Sequence, residues 1–293
     1  MAYMDDIIEK INITGRDKRL LVGIPLAIFA LSVLIIAFNG ISLSTDLEGG
    51  TLVKVMNIST NGDELQTELR EFFDTVDIKV RSSSSITSGL TYVEVPADIP
   101  SASVQEYFEE NYPDADVSFS VFNPSVSKQF QQTALQALIF ALIGMSVVVF
   151  VVFRSPVPSL AVVLSAISDI SITVGVMSLL GFKLSLGTIA ALLMVIGYSV
   201  DSDILLTTRL LKRRGDLYEK VRSAMKTGLT MTLTTLSAMI VLLLVSSHET
   251  LDSIATVLVI ALIFDLMNTW MLNTGILMWH IERIKPVRGR RRK

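Results

Sequence analysis

Four aspartates stand inside long apolar runs of this sequence: Asp169, Asp201, Asp203 and Asp265. A charged side chain at the bilayer centre costs about 3 kcal/mol or more, so acids kept there mark proton or ion pathways. No Lys or Arg falls inside the runs that carry them. Cationic partners would have to reach in from the ends, from Arg209 or Lys226. A desolvated carboxylate denied a counter-charge takes up a proton. If its surroundings alternate between wet and dry, it loads and releases that proton, which is the chemistry of a relay. Asp201 is expected to lead, assisted by Asp169. Asp203 lies two residues beyond Asp201, a turn of roughly 200° on a helix, so the two cannot share a face. For Asp203 the competing expectation is a hydrated acid at the cytoplasmic end. For Asp265 it is a hydrogen bond to Asn268 or to a partner helix. Gly197, one turn before Asp201, leaves room for a second backbone; Ser199 lies one turn before Asp203.

Other chemistry is poorly provided for. The chain has no cysteine, which excludes disulfides and thiolate catalysis, and its two histidines, His248 and His280, fall at the ends of apolar runs. No nucleophile–base pair or metal-ligand spacing appears, so neither an enzyme nor a cofactor is expected. The run "TGLTMTLTTLS" could line a polar path, but small hydroxylated residues also let helices pack closely.

The elements that must position these acids follow from hydropathy. Of the 293 residues, 51% are hydrophobic. A membrane-crossing helix needs about 20 mostly apolar residues for a ~30 Å core. Six stretches qualify: 20–38, 133–153, 157–180, 184–206, 228–246 and 254–277. The fold class expected is therefore an α-helical integral membrane protein of six spans. The first stretch lacks a small-residue cleavage pattern and reads as a retained span. Charge sorting sets the orientation. Residues 207–226 carry seven Lys/Arg and residues 280–293 another seven, whereas 39–128 carry five against fifteen Asp/Glu. Positive charge marks the cytoplasmic side. Segments 1–19, 207–227 and 278–293 are thus expected inside and 39–132 outside, in a plasma membrane. The basic tail suits anionic lipid; no aromatics interleave with it to suggest specific nucleic-acid binding.

The outer segment reads strand, helix, strand, strand, helix, strand. "GTLVKVMNI" and "LTYVEVPADI" alternate apolar with polar, while Leu65, Leu69, Phe72 and Phe73 mark a helical stripe. The order βαββαβ is the split ferredoxin-like motif. Its acids are scattered along the helices, as on a solvated face, so a binding or lever module is expected. Gly49-Gly50, at the strand entrance, permits positive φ or a close backbone approach.

At "DLEGGT" the sequence resembles the SecD/SecF family of protein-export membrane proteins, whose motif after the first span falls on Asp46, Gly49, Gly50 and Thr51. "AALLMVIGYSVDSDILLTTRL" resembles the family's fourth-span signature, with Gly197, Tyr198 and Ser199 in it, and "SDISITVGVMSLLGF" resembles the third span of SecF-type members, with Asp169 on its acid. The resemblance implies an accessory subunit of the Sec machinery with resistance-nodulation-division-like architecture. It would pair with SecD, assist a SecYE-type channel and help move preprotein at the expense of a proton or sodium gradient. Three positions depart from the SecF-type pattern and suggest an archaeal version. Its fourth-span acid would fall on Ser202, whereas Asp201 matches the SecD-type acid and Arg209 the arginine common to both. Ser168 replaces a usual histidine, and a fifth-span arginine would fall near Thr227, with Lys226 adjacent. Two other readings are a proton-coupled exporter half for small molecules or lipids, and a structural assembly factor of the channel.

Overall fold

The computed structural model describes residues 15, 17–56, 61–85, 88–212, 215–246 and 248–284. The expected N-terminal segment up to residue 14, the strand end at 57–58 and the basic tail from 285 lie outside the described residues. Among the described residues, six helices are long and apolar enough to cross a membrane.

The first, α1 (Lys18–Asn39), is capped by the Asp17 carboxylate and ends at Gly40, where φ is 70°. A single turn, α2 (Thr45–Glu48), then leads into a small sheet domain between the first two spans. There β1 (Gly50–Met56), α3 (Gly62–Phe72), β2 (Lys79–Ser85), β3 (Ser88–Val95), α4 (Ser101–Asn111) and β4 (Asp116–Phe122) follow in order. The strands form one sheet in the order β2-β3-β1-β4, with every pairing antiparallel. Val53 is registered with Val93 on one side and Phe119 on the other. With Val55 and Val95 it buries against Leu65 and Leu69 of α3 and Val104 and Phe108 of α4. Burial of each such side chain stabilises by about 1.5–3 kcal/mol. The alternation visible in the sequence thus becomes the inner face of the sheet.

The second span, α5 (Pro124–Phe153), starts nine residues before the apolar run, with Asn123 Oδ1 accepting from the Ser125 amide and Pro124 at the first position. It is followed by α6 (Pro156–Leu180), α7 (Leu186–Lys212) and α8 (Leu217–Val245). The stretch expected as a basic loop, 207–227, is accordingly mostly helix, made of the end of α7 and the start of α8. Hydropathy delimits the part of a helix suited to hydrocarbon, whereas backbone hydrogen bonds continue it into polar flanks. The sixth span is not a single regular helix. α9 (Glu249–Met267) passes into a π-helical segment, Asn268–Asn273, and then α10 (Thr274–Ile284).

α6 is the most enclosed span. It packs with α7 and α9 around Val162, Ile170, Ala191, Val195, Leu258 and Ala261. A second cluster joins α1, α7, α8 and the sixth span through Leu21, Leu206, Met225 and Trp270. α5 and α8 are peripheral and expose much of their apolar surface, including Phe140, Val147, Val241 and Leu244.

Candidate ion-relay site and its outer clamp

Three of the four intramembrane acids meet where α6, α7 and the sixth span cross. Asp169, Asp203 and Asp265 are 0%, 0% and 2% exposed. Asp169 is fully engaged: Oδ2 accepts from Ser199 Oγ of α7 at 2.6 Å, and Oδ1 accepts from Asn268 Nδ2 at 2.6 Å. The same Asn268 nitrogen donates to Ser168 Oγ at 3.0 Å. Thr269 Oγ1 lies 3.0 Å from Asp203 Oδ1 and 3.3 Å from Asp265 Oδ1. A hydroxyl carries one hydrogen. It therefore completes both contacts in full only when one of the two carboxyls holds a proton and donates it.

The π-helical segment makes this convergence possible. A local i→i+5 pattern inserts an extra residue per turn, and Asn268, Thr269 and Asn273 are all wholly buried in it. Sequence alone marks none of these three as a site residue and offers Asn268 only as a partner for Asp265. In the structure its amide goes to Asp169 instead. The polar residues of "DLMNTWMLNTG" within an apolar run were the available signal.

The two adjacent acids of α7 separate as the helical period requires, but their burial is the reverse of the expected order. Asp203, a relay candidate for which hydration at the helix end was the competing expectation, is wholly buried, because the side of α7 that carries it packs against α6 and the sixth span. Asp201 faces outward with Met194 and Gly197 on an exposed stripe. A Cβ built at Gly197 meets no atom within 4 Å. Asp201 therefore stands apart from the buried cluster. Tyr198 is half-buried against the α6–α7 core, and Ser199 turns inward to Asp169.

The basic partners do not enter the cluster either: among the described residues, none of the three buried acids forms an ion pair. Arg209 is held by α8, with Nη1 donating to the carbonyl and hydroxyl of Ser223 and Nη2 to Thr227 Oγ1 at 2.9 Å. Its guanidinium thus reaches the place where the resemblance put a fifth-span arginine. Lys226 is half-buried on α8. The hydroxyls of Thr230, Thr234, Thr235 and Ser237 donate to carbonyls of their own helix. Close packing occurs at Gly228, where a Cβ would lie 2.5 Å from the Trp270 ring.

The "DLEGGT" residues sit at the other end of α7. Asp46 Oδ2 accepts from the Leu186 amide, the first residue of α7, at 2.7 Å. Ser185 and Thr188 complete that terminus with reciprocal side-chain to backbone bonds at 2.7 and 3.1 Å, in the manner of a capping box. Burial raises the Asp46 carboxyl above its ordinary value, and the Leu186 N–H opposes that rise. Gly49 and Gly50 have φ of 93° and 135°. Cβ atoms there would lie 2.7 Å from Pro124 Cα and 2.4 Å from the Val95 carbonyl, so both conformation and space demand glycine. Thr51 is buried in β1.

Further bonds fasten the sheet domain and the segment before it to the 181–185 connection. Leu43 bridges Leu184 through Ser44 N to Leu184 O, 2.9 Å, and Leu184 N to Ser42 O, 2.8 Å. Lys183 pairs with Glu94 of β3, the two side chains being 9% and 4% exposed. The result is a clamp on the N-terminal end of the same helix that carries Asp203.

Comparisons with known proteins agree with this architecture. The family model described as protein export membrane protein SecD/SecF, C-terminal, matches residues 103–283. The protein-export membrane protein SecF of Methanocaldococcus jannaschii is 44% identical over 279 residues, covering 92% of this chain and 98% of that protein. SecF of Thermococcus gammatolerans is 41% identical over 272 residues, covering 90% of this chain and 86% of that one. Among solved structures, SecDF from Thermus thermophilus, described as a translocon-associated membrane protein, superposes with a TM-score of 0.73 at 21% identity. That match covers 90% of this chain and 38% of the solved chain. Since the family model spans more than half of the sequence and the SecF relatives align over nearly all of it, the chain belongs to the SecF family of protein-export membrane proteins.

Proposed function

We propose that this chain is the SecF subunit of an archaeal export machinery, pairing with a SecD-type chain in the plasma membrane. It assists a SecYE-type channel in moving preprotein, using a proton or sodium gradient. The observation that carries the reading is the buried acid cluster, three carboxyls with no ion-pair partner among the described residues, one of which, Asp203, stands on a helix whose N-terminal end is clamped to the sheet domain. Loading or unloading of Asp203 changes what α6, α7 and the sixth span hold between them. α7, a continuous helix from Leu186 to Lys212, links that change to Asp46 and the sheet. The βαββαβ element order and the β2-β3-β1-β4 sheet support a ferredoxin-like outer domain serving as a lever. The reading keeps segments 39–132 outside and both termini in the cytoplasm. Asp201, on the exposed stripe with Gly197, faces the SecD-type partner and acts there as a second acid.

The test is preprotein transport by vesicles containing the SecD/SecF pair and the channel, with and without an imposed ion gradient. Asp203→Asn and Asp169→Asn are each expected to remove the gradient-dependent part of transport while leaving the pair assembled. Undiminished stimulation in both variants would refute the relay.

A further inference from the structure

A groove of about 430 Å³ lies between α5, α6 and α7, at the end of the spans next to the sheet domain. That volume is within the range of sites that hold a small molecule, about 300–1,000 Å³. Leu135 and Leu138 of α5, Leu192 of α7 and Leu47 of α2 line it, together with Leu43 and Leu184, whose backbones bridge in the clamp. The rest of the lining is aliphatic except for Gln131, and none of the intramembrane acids reaches it. Leu135 is 60% exposed and Ile41, at the rim, 43%. The groove therefore opens sideways, toward hydrocarbon in a bilayer. An extended peptide laid against such walls would leave its N–H and C=O groups unsatisfied. A helix, about 10 Å across, would use up the volume within roughly one turn. A hydrocarbon tail is thin, carries no polar group and regains the dispersion contacts that an empty apolar space forfeits.

The polar margin of the groove indicates the headgroup. Gln131 stands two residues before the apolar run of α5, and Lys128 lies one turn nearer the sheet domain on the same side of that helix. Lys128 is exposed and enters no ion pair among the described residues. We propose that the groove binds one anionic membrane phospholipid, with a tail between α5 and α7 and the phosphate at Lys128. Leu43 and Leu184 belong to the two segments of the bridge, joined by Ser44 N to Leu184 O and Leu184 N to Ser42 O. A tail packed on both side chains steadies those bonds, so the lipid becomes part of the clamp on α7. This inference requires only that the helices span a membrane, not that the acids carry ions.

The test uses the full chain with its SecD-type partner in phosphatidylcholine nanodiscs. The probe is a trace of phosphatidylglycerol carrying a photoreactive diazirine on one acyl chain. Mass spectrometry should find saturable adducts on 131–138 and 184–192, lost when unlabelled phosphatidylglycerol is added. Lys128→Gln should lower this labelling roughly fivefold, the weight of about one basic residue at an anionic surface, while Lys128→Arg should label as the parent does. Ala134→Trp/Leu138→Trp fills the groove and should abolish the adducts, whereas Phe140→Trp, at an exposed position of α5, should leave them. Hydrogen exchange at Ser44 and Leu184 should slow when phosphatidylglycerol is added to the parent, and should not respond in the double variant. Adducts spread along all exposed faces of α5 without saturation would show ordinary surrounding lipid and overturn the proposal. Parent-like labelling in the double variant or in Lys128→Gln overturns it equally. Should the double variant fail to assemble, saturation in the parent and the Lys128→Gln result decide between the two.

Discussion

Thr269 Oγ1 lies 3.0 Å from Asp203 Oδ1, and the same hydroxyl is 3.3 Å from Asp265. One hydrogen cannot be donated in full to both, so the threonine reports which carboxyl is protonated. Thr269→Val preserves shape and removes that link. Gradient-stimulated transport should fall at least about tenfold, the effect of about 1.4 kcal/mol on a barrier, while Thr269→Ser retains it. Vesicle transport assays of the two variants check this.

The Asp46 bond to Leu186 gives a pH dependence with a defined sign. Because burial raises the folded carboxyl above 3.8, the folded state holds more protons than the unfolded state in the window just above that value. Stability therefore declines as pH rises through the window. Asp46→Asn keeps an acceptor for the Leu186 amide and should flatten this decline. Asp46→Ala should cost about 1 kcal/mol, the scale of a lost N-cap. Hydrogen exchange at Leu186–Thr188, followed against pH, distinguishes the three proteins.

Lys183 and Glu94 form an ion pair in a mostly buried setting. Removing one partner strands the other, so Lys183→Met should destabilise by about 3–5 kcal/mol. Lys183→Met/Glu94→Gln should recover much of that loss. A double-mutant cycle on thermal unfolding in detergent measures the coupling.

Gly50 cannot carry a side chain without moving the sheet. With φ at 135° and the Val95 carbonyl 2.4 Å from a built Cβ, Gly50→Ala should cost more than about 1 kcal/mol. Protease resistance of the sheet domain in the detergent-purified chain should drop, whereas Gly144→Ala, with nothing within 4 Å of its built Cβ, serves as control.

Asp201 and Gly197 lie on the exposed stripe of α7. Asp201→Asn should leave the stability of the isolated chain within about 0.5 kcal/mol, as is usual for changes remote from buried features. Gly197→Leu should reduce co-purification of the SecD-type partner. Parent-like recovery of the pair with the leucine variant would place the partner elsewhere.

Composition and period alone determined that the chain has six apolar spans, that the segment between the first two mixes strands with helices, and that Asp201 and Asp203 point in opposite directions. These properties are local, because hydrocarbon thickness and the 3.6-residue turn act on neighbouring residues. The sequence could not determine which acid faces inward. That depends on how α7 rotates against α6 and the sixth span, which is set by the fit of residues far apart in the chain, such as Asp169 with Ser199 and Asn268. Nor did it reveal the π-helical segment, whose altered hydrogen-bonding pattern leaves no hydropathy signature. The role of Asp46 as cap for a helix starting 140 residues later was likewise decided by tertiary structure. Only the folded chain brings that carboxylate to the open amides at the head of α7.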